Sequence, residues 1–260
     1  MKLHVSSDLH YSFQPGTGAV VSVHAATSPD QTVISESLEI DPLPELVFDP
    51  ADARGERRFR GEFSGDVRIR YEAVVDNGAR SLLPSGATRH AWPDLPTEAL
   101  VFLLPSRYCS SDRFISFAEK TFGTIPEGGA MVQAVLSWLY ENIEYAFGIS
   151  SSDTTAEHTF VERKGVCRDF THLGITLCRA LNIPARAVSA YAMGLEPQDF
   201  HAVFEVYLEN AWWLVDPTGL VPVENLVRIG VGRDAADIAF LSTTSPCSLI
   251  WQTVKVSPAV

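Results

Sequence analysis

The sequence predicts an α+β fold: an antiparallel, β-sandwich-like N-terminal domain over residues 1–104, then a second unit over 105–260 in which a helix packs on an antiparallel sheet and the chain ends in a β tail. Three observations predict it. The first hundred residues alternate apolar and polar side chains with period two, the signature of half-buried strands. A proline-rich passage then interrupts the pattern. Beyond it, apolar residues fall at helical spacing before alternation returns.

In the first part, Ile34, Leu38 and Ile40 share one parity, with Ser35, Ser37 and Glu39 on the other. Val67, Ile69, Tyr71, Ala73 and Val75 repeat this, leaving Arg68, Arg70 and Glu72 outside, until Asp76-Asn77-Gly78 supplies turn residues. Pro29, Pro42, Pro44 and Pro50 punctuate the earlier strands, and no segment up to residue 104 reads as a helix. Pro84, Pro93, Pro96 and Pro105 mark the passage between the two parts. Met131, Val135, Trp138, Leu139 and Ile143 then predict a helix over 130–143 behind Gly128-Gly129. A second helix begins near Val166, because Val166, Phe170, Leu173, Leu177 and Leu181 form one stripe. Asn182 and Pro184 end it, since the residue before proline disfavours helical backbone. Strands are expected at 185–193, 201–208 and 211–215, with extended chain again through Val231 and Val254-Lys255-Val256. There is no internal repeat and no low-complexity tract.

Composition narrows the function. A formal net charge of -12 is the wrong sign for gripping phosphates, so no nucleic-acid partner is expected. Arg54, Arg57, Arg58 and Arg60 do cluster, but Glu56 and Glu62 dilute them, and a solvated face explains them better. Met1-Lys2 is not followed by an apolar run, and no stretch nears the roughly 18 apolar residues of a spanning helix, so no membrane partner is expected. The four cysteines, Cys109, Cys167, Cys178 and Cys247, lack disulfide-framework or C-x-x-C spacing. A reducing, cytoplasmic setting with free thiols fits them best. No acidic loop has calcium-ligand spacing, and neither metal nor cofactor is expected.

One constellation carries chemistry. In Gly165-Val166-Cys167-Arg168-Asp169-Phe170, glycine permits a tight entry and places Cys167 in the first turn of the second helix. There the unpaired N–H groups and the positive end of the helix dipole favour a thiolate, the nucleophilic form. Taken alone, Cys167 could equally be a small buried residue. The following hairpin adds two groups. If Glu209-Asn210 is a two-residue turn, Leu208 pairs with Ala211 and, counting back, Val203 pairs with Asp216. His201, Val203 and Glu205 then share a face with Leu214, Asp216 and Thr218. His201 and Asp216 become diagonal neighbours, their Cα atoms roughly 5.5–8 Å apart. A carboxylate holding one imidazole nitrogen leaves the other to take a thiol proton. One more residue in the turn would undo this.

The segments Gly-Val-Cys-Arg-Asp-Phe-Thr-His (165–172), Asn-Ile-Pro-Ala-Arg-Ala-Val (182–188), His-Ala-Val-Phe-Glu-Val-Tyr-Leu (201–208) and Trp-Trp-Leu-Val-Asp-Pro-Thr (212–218) resemble the bacterial transglutaminase-like superfamily, whose members include cysteine proteases with a papain-like core. The resemblance covers about 130–220, and Gly232 to Asp237 is similar to the family's tail segment; the first hundred residues match only loosely. It implies a papain-like core and a triad at Cys167 (nucleophile), His201 (base) and Asp216 (orienter). Many relatives carry Trp two residues after the histidine, where this chain has Val203.

The expected function is acyl transfer through a thioester on a protein or peptide substrate. A cysteine protease or amidase is favoured; an amine-incorporating transglutaminase and a non-catalytic binding protein on the same fold are the alternatives. Asp169, two residues on from the thiol, and His172, five residues on, point elsewhere around the helix and are expected to be structural. Cys178 is expected in the core, Cys109 and Cys247 buried or inert, and Trp212 and Trp213 in the hairpin core rather than in a cleft. The Cys167 N–H is the natural first oxyanion donor. Sequence points to no second one, and leaves the oligomeric state open.

Overall fold

The chain folds, in a computed structural model that describes residues 1–259, into the predicted α+β arrangement. β1 (Lys2–Val21), β2 (Thr32–Asp41), β3 (Leu46–Phe48) and β4 (Phe59–Asp76) come first. After a passage containing the one-turn helix α1 (Thr97–Leu100) come α2 (Ile115–Phe122), α3 (Gly128–Asn142), β5 (Glu144–Tyr145), α4 (Ala156–Glu162), β6 (Lys164–Gly165) and α5 (Cys167–Ala180). The chain closes with β7 (Ala185–Ala192), β8 (Phe200–Leu208), β9 (Ala211–Val215), β10 (Leu226–Gly232), β11 (Leu241–Thr243) and β12 (Cys247–Pro258).

The long antiparallel pair β1–β4 organises the first sheet, with β2 and β3 on the far side of β4. Its register slips between Phe13 and Thr17, where Gly16 (φ 71°) and Gly65 (φ 68°) take backbone conformations that a side chain would strain. The predicted parity of β4 holds, with Val67, Ile69, Tyr71, Ala73 and Val75 all buried. That of β2 holds only in part. A bulge between Val33 and Ser35 leaves Ile34 without a partner and 51% exposed, while Ile40 is buried. Short helical turns at 92–94, 97–100 and 101–103 occupy the stretch read from sequence as helix-free.

The C-terminal tail, assigned by sequence to the second unit, lies in the first sheet. β11 and β12 both pair antiparallel with β1, and Val254 and Val256 face the same core as Val5 and Leu9. The physical reason is that the outer edge of β1 offers a row of unpaired backbone groups, and the alternating tail satisfies them. The partner layer of the first sheet is the second sheet, ordered β10-β7-β8-β9. Tyr191 and Phe200 from that sheet pack with Tyr71 and Ile69, and the Tyr191 hydroxyl donates to the Val23 carbonyl at 2.7 Å.

Helix α5 lies on the other side. Leu173, Leu177 and Leu181 pack with Phe204 and Val206 of β8 and with Met131, Val135 and Leu139 of α3. Sequence assigned α5 a single apolar stripe, yet every residue from Asp169 to Ala180 is buried. The cause is that α2, α3, α4 and the sheet surround it. Gly174 permits the closest approach, since a Cβ there would stand 2.7 Å from the Phe204 ring. The helix predicted over 130–143 is α3, two residues earlier at its start.

Two histidines are buried in these layers against their charge. Burial first, and then Arg57, push His24 down to about 4; burial and nearby arginines push His172 down to about 3. A depressed folded-state pKa gives stability that is complete above the unfolded value of 6.5 and is lost as pH falls toward the folded value. The protein is therefore expected to lose stability between pH 6.5 and about 3–4. His172→Gln, which keeps an acceptor for the Ala235 N–H now bonded to Nε2 at 3.1 Å, is expected to flatten this limb by up to one proton's slope, about 1.4 kcal/mol per pH unit. Urea unfolding at pH 4 to 7 reads it, and an identical slope in the variant would refute it.

Candidate active site

Val166 is extended (φ -105°, ψ -179°) and Cys167 is the first helical residue of α5. Val166 has no side-chain oxygen to cap the helix. Instead Asp169 reaches back, its Oδ2 accepting the Val166 N–H at 2.9 Å while Oδ1 accepts from Ser150 at 2.9 Å. Asp169 thus fixes how the chain enters the helix, a structural role as expected from sequence. The first backbone bonds of α5 run from the N–H groups of Asp169 and Phe170 to the Val166 carbonyl. Those of Cys167 and Arg168 precede that ladder and point outward from the helix start. Cys167 is partly exposed, whereas Cys109 and Cys178 are fully enclosed and burial pushes both thiols up to about 12. Cys247, expected to be buried or inert, is partly exposed on β12.

The hairpin has the register that sequence parity requires. Glu209 (φ 50°) and Asn210 (φ 64°) form the two-residue turn, Leu208 faces Ala211, and the ladder runs to Phe204 opposite Val215. One step beyond it, His201 Nε2 and Asp216 Oδ2 are 3.1 Å apart, with both side chains nearly inaccessible. The carboxylate is itself held on every side. Oδ1 accepts the Thr218 N–H (2.8 Å) and hydroxyl (2.7 Å), and Oδ2 accepts the Val221 N–H (3.0 Å). Burial works against its charge, but the bonds from His201 and Thr218 hold its carboxyl below the usual range.

Cys167 is close enough to His201 for its sulfur to act on the charge of the imidazole. Nδ1 has no hydrogen-bond partner among the described residues, and is the ring nitrogen left free for a thiol. Burial alone would lower the imidazole pKa. The Asp216 carboxylate and the Cys167 sulfur overcome it and raise the value from 6.5 to about 9. A raised folded-state pKa stabilises fully below 6.5 and ceases to do so as pH rises through about 9. Of the sequence-predicted residues, His201 and Asp216 are therefore bonded to each other, and Cys167 stands near enough to raise the imidazole pKa.

Tyr145 is a fourth group that sequence reasoning missed. β5 pairs parallel with β6, setting Tyr145 opposite Gly165, two residues before the thiol. Burial, followed by the charge of Cys167, raises the pKa of its hydroxyl well above the usual value. The signal available was only an aromatic after a helix, with no periodicity to single it out.

Two exposed apolar groups, Tyr140 and Leu220, stand near Asp216. A hollow of about 290 Å³ opens beside Asp216, lined by Leu136, Tyr140, Glu141 and Gly219. The other sequence candidates lie elsewhere. The Arg186 guanidinium sits over the Trp212 ring at 3.9 Å, and the Trp213 Nε1–H donates to the Leu208 carbonyl at 3.0 Å, so both tryptophans serve packing. Val203 is buried beside Val188 and Leu214. Arg54, Arg57, Arg58 and Arg60 each pair with an acid, Asp52, Glu36, Glu56 and Asp49 respectively. Among the described residues, no three of His, Cys, Asp and Glu are grouped to hold a metal, and no helix is long and apolar enough to cross a membrane.

Known families and structures match both parts of the chain. The model of the transglutaminase-like superfamily matches residues 115–217, and that of the bacterial transglutaminase N-terminal domain matches residues 1–83. An uncharacterized protein of Mycobacterium leprae is 28% identical over 191 residues, covering 67% of this chain and 66% of that protein. An uncharacterized protein of Mycobacterium bovis is 29% identical over 267 residues, covering 88% and 82%. The crystal structure of "a Putative Cysteine Protease from Cytophaga hutchinsonii" superposes with a TM-score of 0.92 at 38% identity, covering 99% of this chain and 90% of the other. With both of its parts matched, and a relative of that similarity along nearly its whole length, the chain belongs to the transglutaminase-like superfamily.

Proposed function

We propose that the protein is a thiol-dependent acyl-transfer enzyme that cleaves peptide or carboxamide bonds, a cysteine protease or amidase, with Cys167, His201 and Asp216 as its triad. The observation that carries this is the imidazole held by Asp216 at 3.1 Å on one nitrogen and left to the Cys167 thiol on the other. An imidazole whose pKa is raised to about 9 is protonated at neutral pH and can give a proton to the departing amine. In the proposed reaction the thiolate attacks the carbonyl carbon, and its π electrons move onto oxygen. As the tetrahedral species collapses, the Nδ1 proton passes to the departing amine, leaving a thioester. Water then attacks, giving its proton back to His201, and the acid leaves with Cys167 restored.

Two features favour hydrolysis over amine incorporation. The 38% identical structure is that of "a Putative Cysteine Protease from Cytophaga hutchinsonii", and the hollow beside Asp216 is lined partly by polar and acidic groups open to water. A non-catalytic binding role would have no use for a buried His–Asp pair aimed at a partly exposed thiol. The discriminating experiment treats the protein with iodoacetamide at pH 7, then assays a peptide library with and without a primary amine. Cys167 is expected to be alkylated at least ten times faster than Cys247, and alkylation is expected to abolish peptide cleavage. Equal labelling of the two thiols with no cleavage would overturn the enzyme reading. Amine-containing products exceeding hydrolysis would favour the transglutaminase.

A further inference from the structure

Arg80 is a buried charge that the function proposed above does not use. It follows β4 in the stretch Asp76-Asn77-Gly78-Ala79-Arg80, and the fold pins that stretch down. The Asn77 Nδ2 donates to the carbonyls of Glu224 (2.6 Å) and Leu226 (3.0 Å), tying the end of β4 to the start of β10. Gly78 has φ 68°, and a Cβ there would stand 2.7 Å from the Asp30 carbonyl oxygen. Arg80 therefore enters the seam between the first part of the chain and the second sheet from a fixed backbone.

Its side chain is only 5% exposed. Nη2 donates to the Gln31 Oε1 at 3.0 Å, an oxygen that also accepts the Arg228 N–H at 2.8 Å. Nε and Nη1 have no hydrogen-bond partner among the described residues. Asp30 stands 3.8 Å from Nη1, but its carboxylate already accepts from both terminal nitrogens of Arg228. Glu205 is committed to Arg186 and Arg228. Three guanidinium groups, on Arg80, Arg186 and Arg228, thus share the two carboxylates of Asp30 and Glu205. Burial, and then Arg228, push the Arg80 pKa down to about 10, which leaves it charged at neutral pH. An enclosed cation with unused donors is costly, and folded proteins give such groups a partner.

Arg80 borders a hollow of about 220 Å³. Arg228 lies on the same side of it, and the outer strand β9, from Ala211 through Trp212 and Trp213 to Leu214, forms the other. Nη2 of Arg80 carries two hydrogens and gives one to Gln31. The other lies parallel to an unused hydrogen on Nε or on Nη1, and such a fork matches the two oxygens of a carboxylate. A phosphate matches it too, but would turn its remaining oxygens toward β9, where the Trp213 Nε1–H is already given to the Leu208 carbonyl. A carboxylate turns a carbon body toward that apolar wall instead.

We propose that this hollow is a binding site for a small monocarboxylate with an apolar body, held by the guanidinium of Arg80. None of these residues belongs to the triad, so the site stands or falls apart from it. Calorimetric titration at pH 7 tests it with isovalerate, phenylacetate, their neutral amides and inorganic phosphate, on wild type and on Arg80→Gln. At least one acid is expected to bind wild type one to one, with its amide about ten-fold weaker or worse, since charge-assisted bonds carry the affinity. Arg80→Gln is expected to weaken acid binding by about ten-fold or more. Without ligand, the variant is expected to unfold at the same urea concentration as wild type or a higher one, because it removes a charge that lacks a partner. Failure of both acids to bind wild type, equal binding of acid and amide, or acid binding unchanged in the variant overturns the proposal. So does tighter binding of phosphate than of either acid, or a clear loss of stability in Arg80→Gln, which would show the charge already satisfied within the protein.

Discussion

Replacing Asp216 by asparagine is expected to lower turnover by about 10³–10⁴-fold, the size of effect a wrong imidazole tautomer has in a hydroxyl-based triad. The reason lies in what surrounds the carboxylate. All its partners are donors: the Thr218 N–H and hydroxyl on Oδ1, the Val221 N–H and the His201 ring nitrogen on Oδ2. An asparagine must turn its NH₂ to one side. Facing Val221 and His201, it opposes one N–H and forces Nε2 to accept. The imidazole proton then resides on Nδ1, and the base can no longer take the thiol proton. Facing Thr218, it opposes another N–H in the tight turn that positions the residue. Either choice costs about 1–3 kcal/mol of stability as well. With the carboxylate gone, the His201 pKa should fall from about 9, readable by NMR titration of the ring. Wild-type turnover in the variant would remove Asp216 from the mechanism.

The second large effect is on stability. Glu205 lies on β8, four residues beyond His201, with its side chain fully buried. Arg186 bonds its Oε2 through Nη2 at 2.6 Å and Nε at 2.7 Å, and Arg228 Nε stands 2.9 Å from Oε1. Arg186 and Arg228 are themselves nearly inaccessible, and Arg228 also pairs with Asp30. Glu205→Leu would leave two enclosed guanidinium groups without the charge between them. Such a break costs about 3–5 kcal/mol, because Arg186 has lost water and now its partner while Arg228 keeps only Asp30. The double variant with Arg186→Met should recover much of this, since a well-packed apolar pair can replace a buried ion pair. Urea unfolding of single and double variants measures it, and additive losses would show that the pair is not a unit. Turnover per folded molecule should change far less than in Asp216→Asn, because Glu205 touches neither the thiol nor the imidazole's partners.

Much of the site was legible in the sequence, because the information is local. Alternation has period two and Glu209-Asn210 fixes the turn length, so the facing of His201 and Asp216 followed from counting. A glycine and a helix stripe placed Cys167 at a helix start in the same way. Local reading failed where one residue changes the count, as in the bulge that turns Ile34 outward.

What only the tertiary structure decided concerns contacts between distant segments. The sequence of β12 specifies a strand with one apolar face, but not that its partner is β1, more than two hundred residues earlier. Glu205 reads as an ordinary polar strand residue, and only the packing of two sheets encloses it with Arg186 and Arg228. Tyr145 lies in a two-residue strand with no periodicity, and becomes a neighbour of the thiol through its bridge to Gly165. The amino-acid order therefore determined that Cys167 opens a helix and that His201 and Asp216 share one face of a hairpin, since helix capping and strand parity act over a few residues. The placing of Tyr145 opposite Gly165 and the charge buried beneath β8 were decided by the fold, since both depend on which surfaces close against each other.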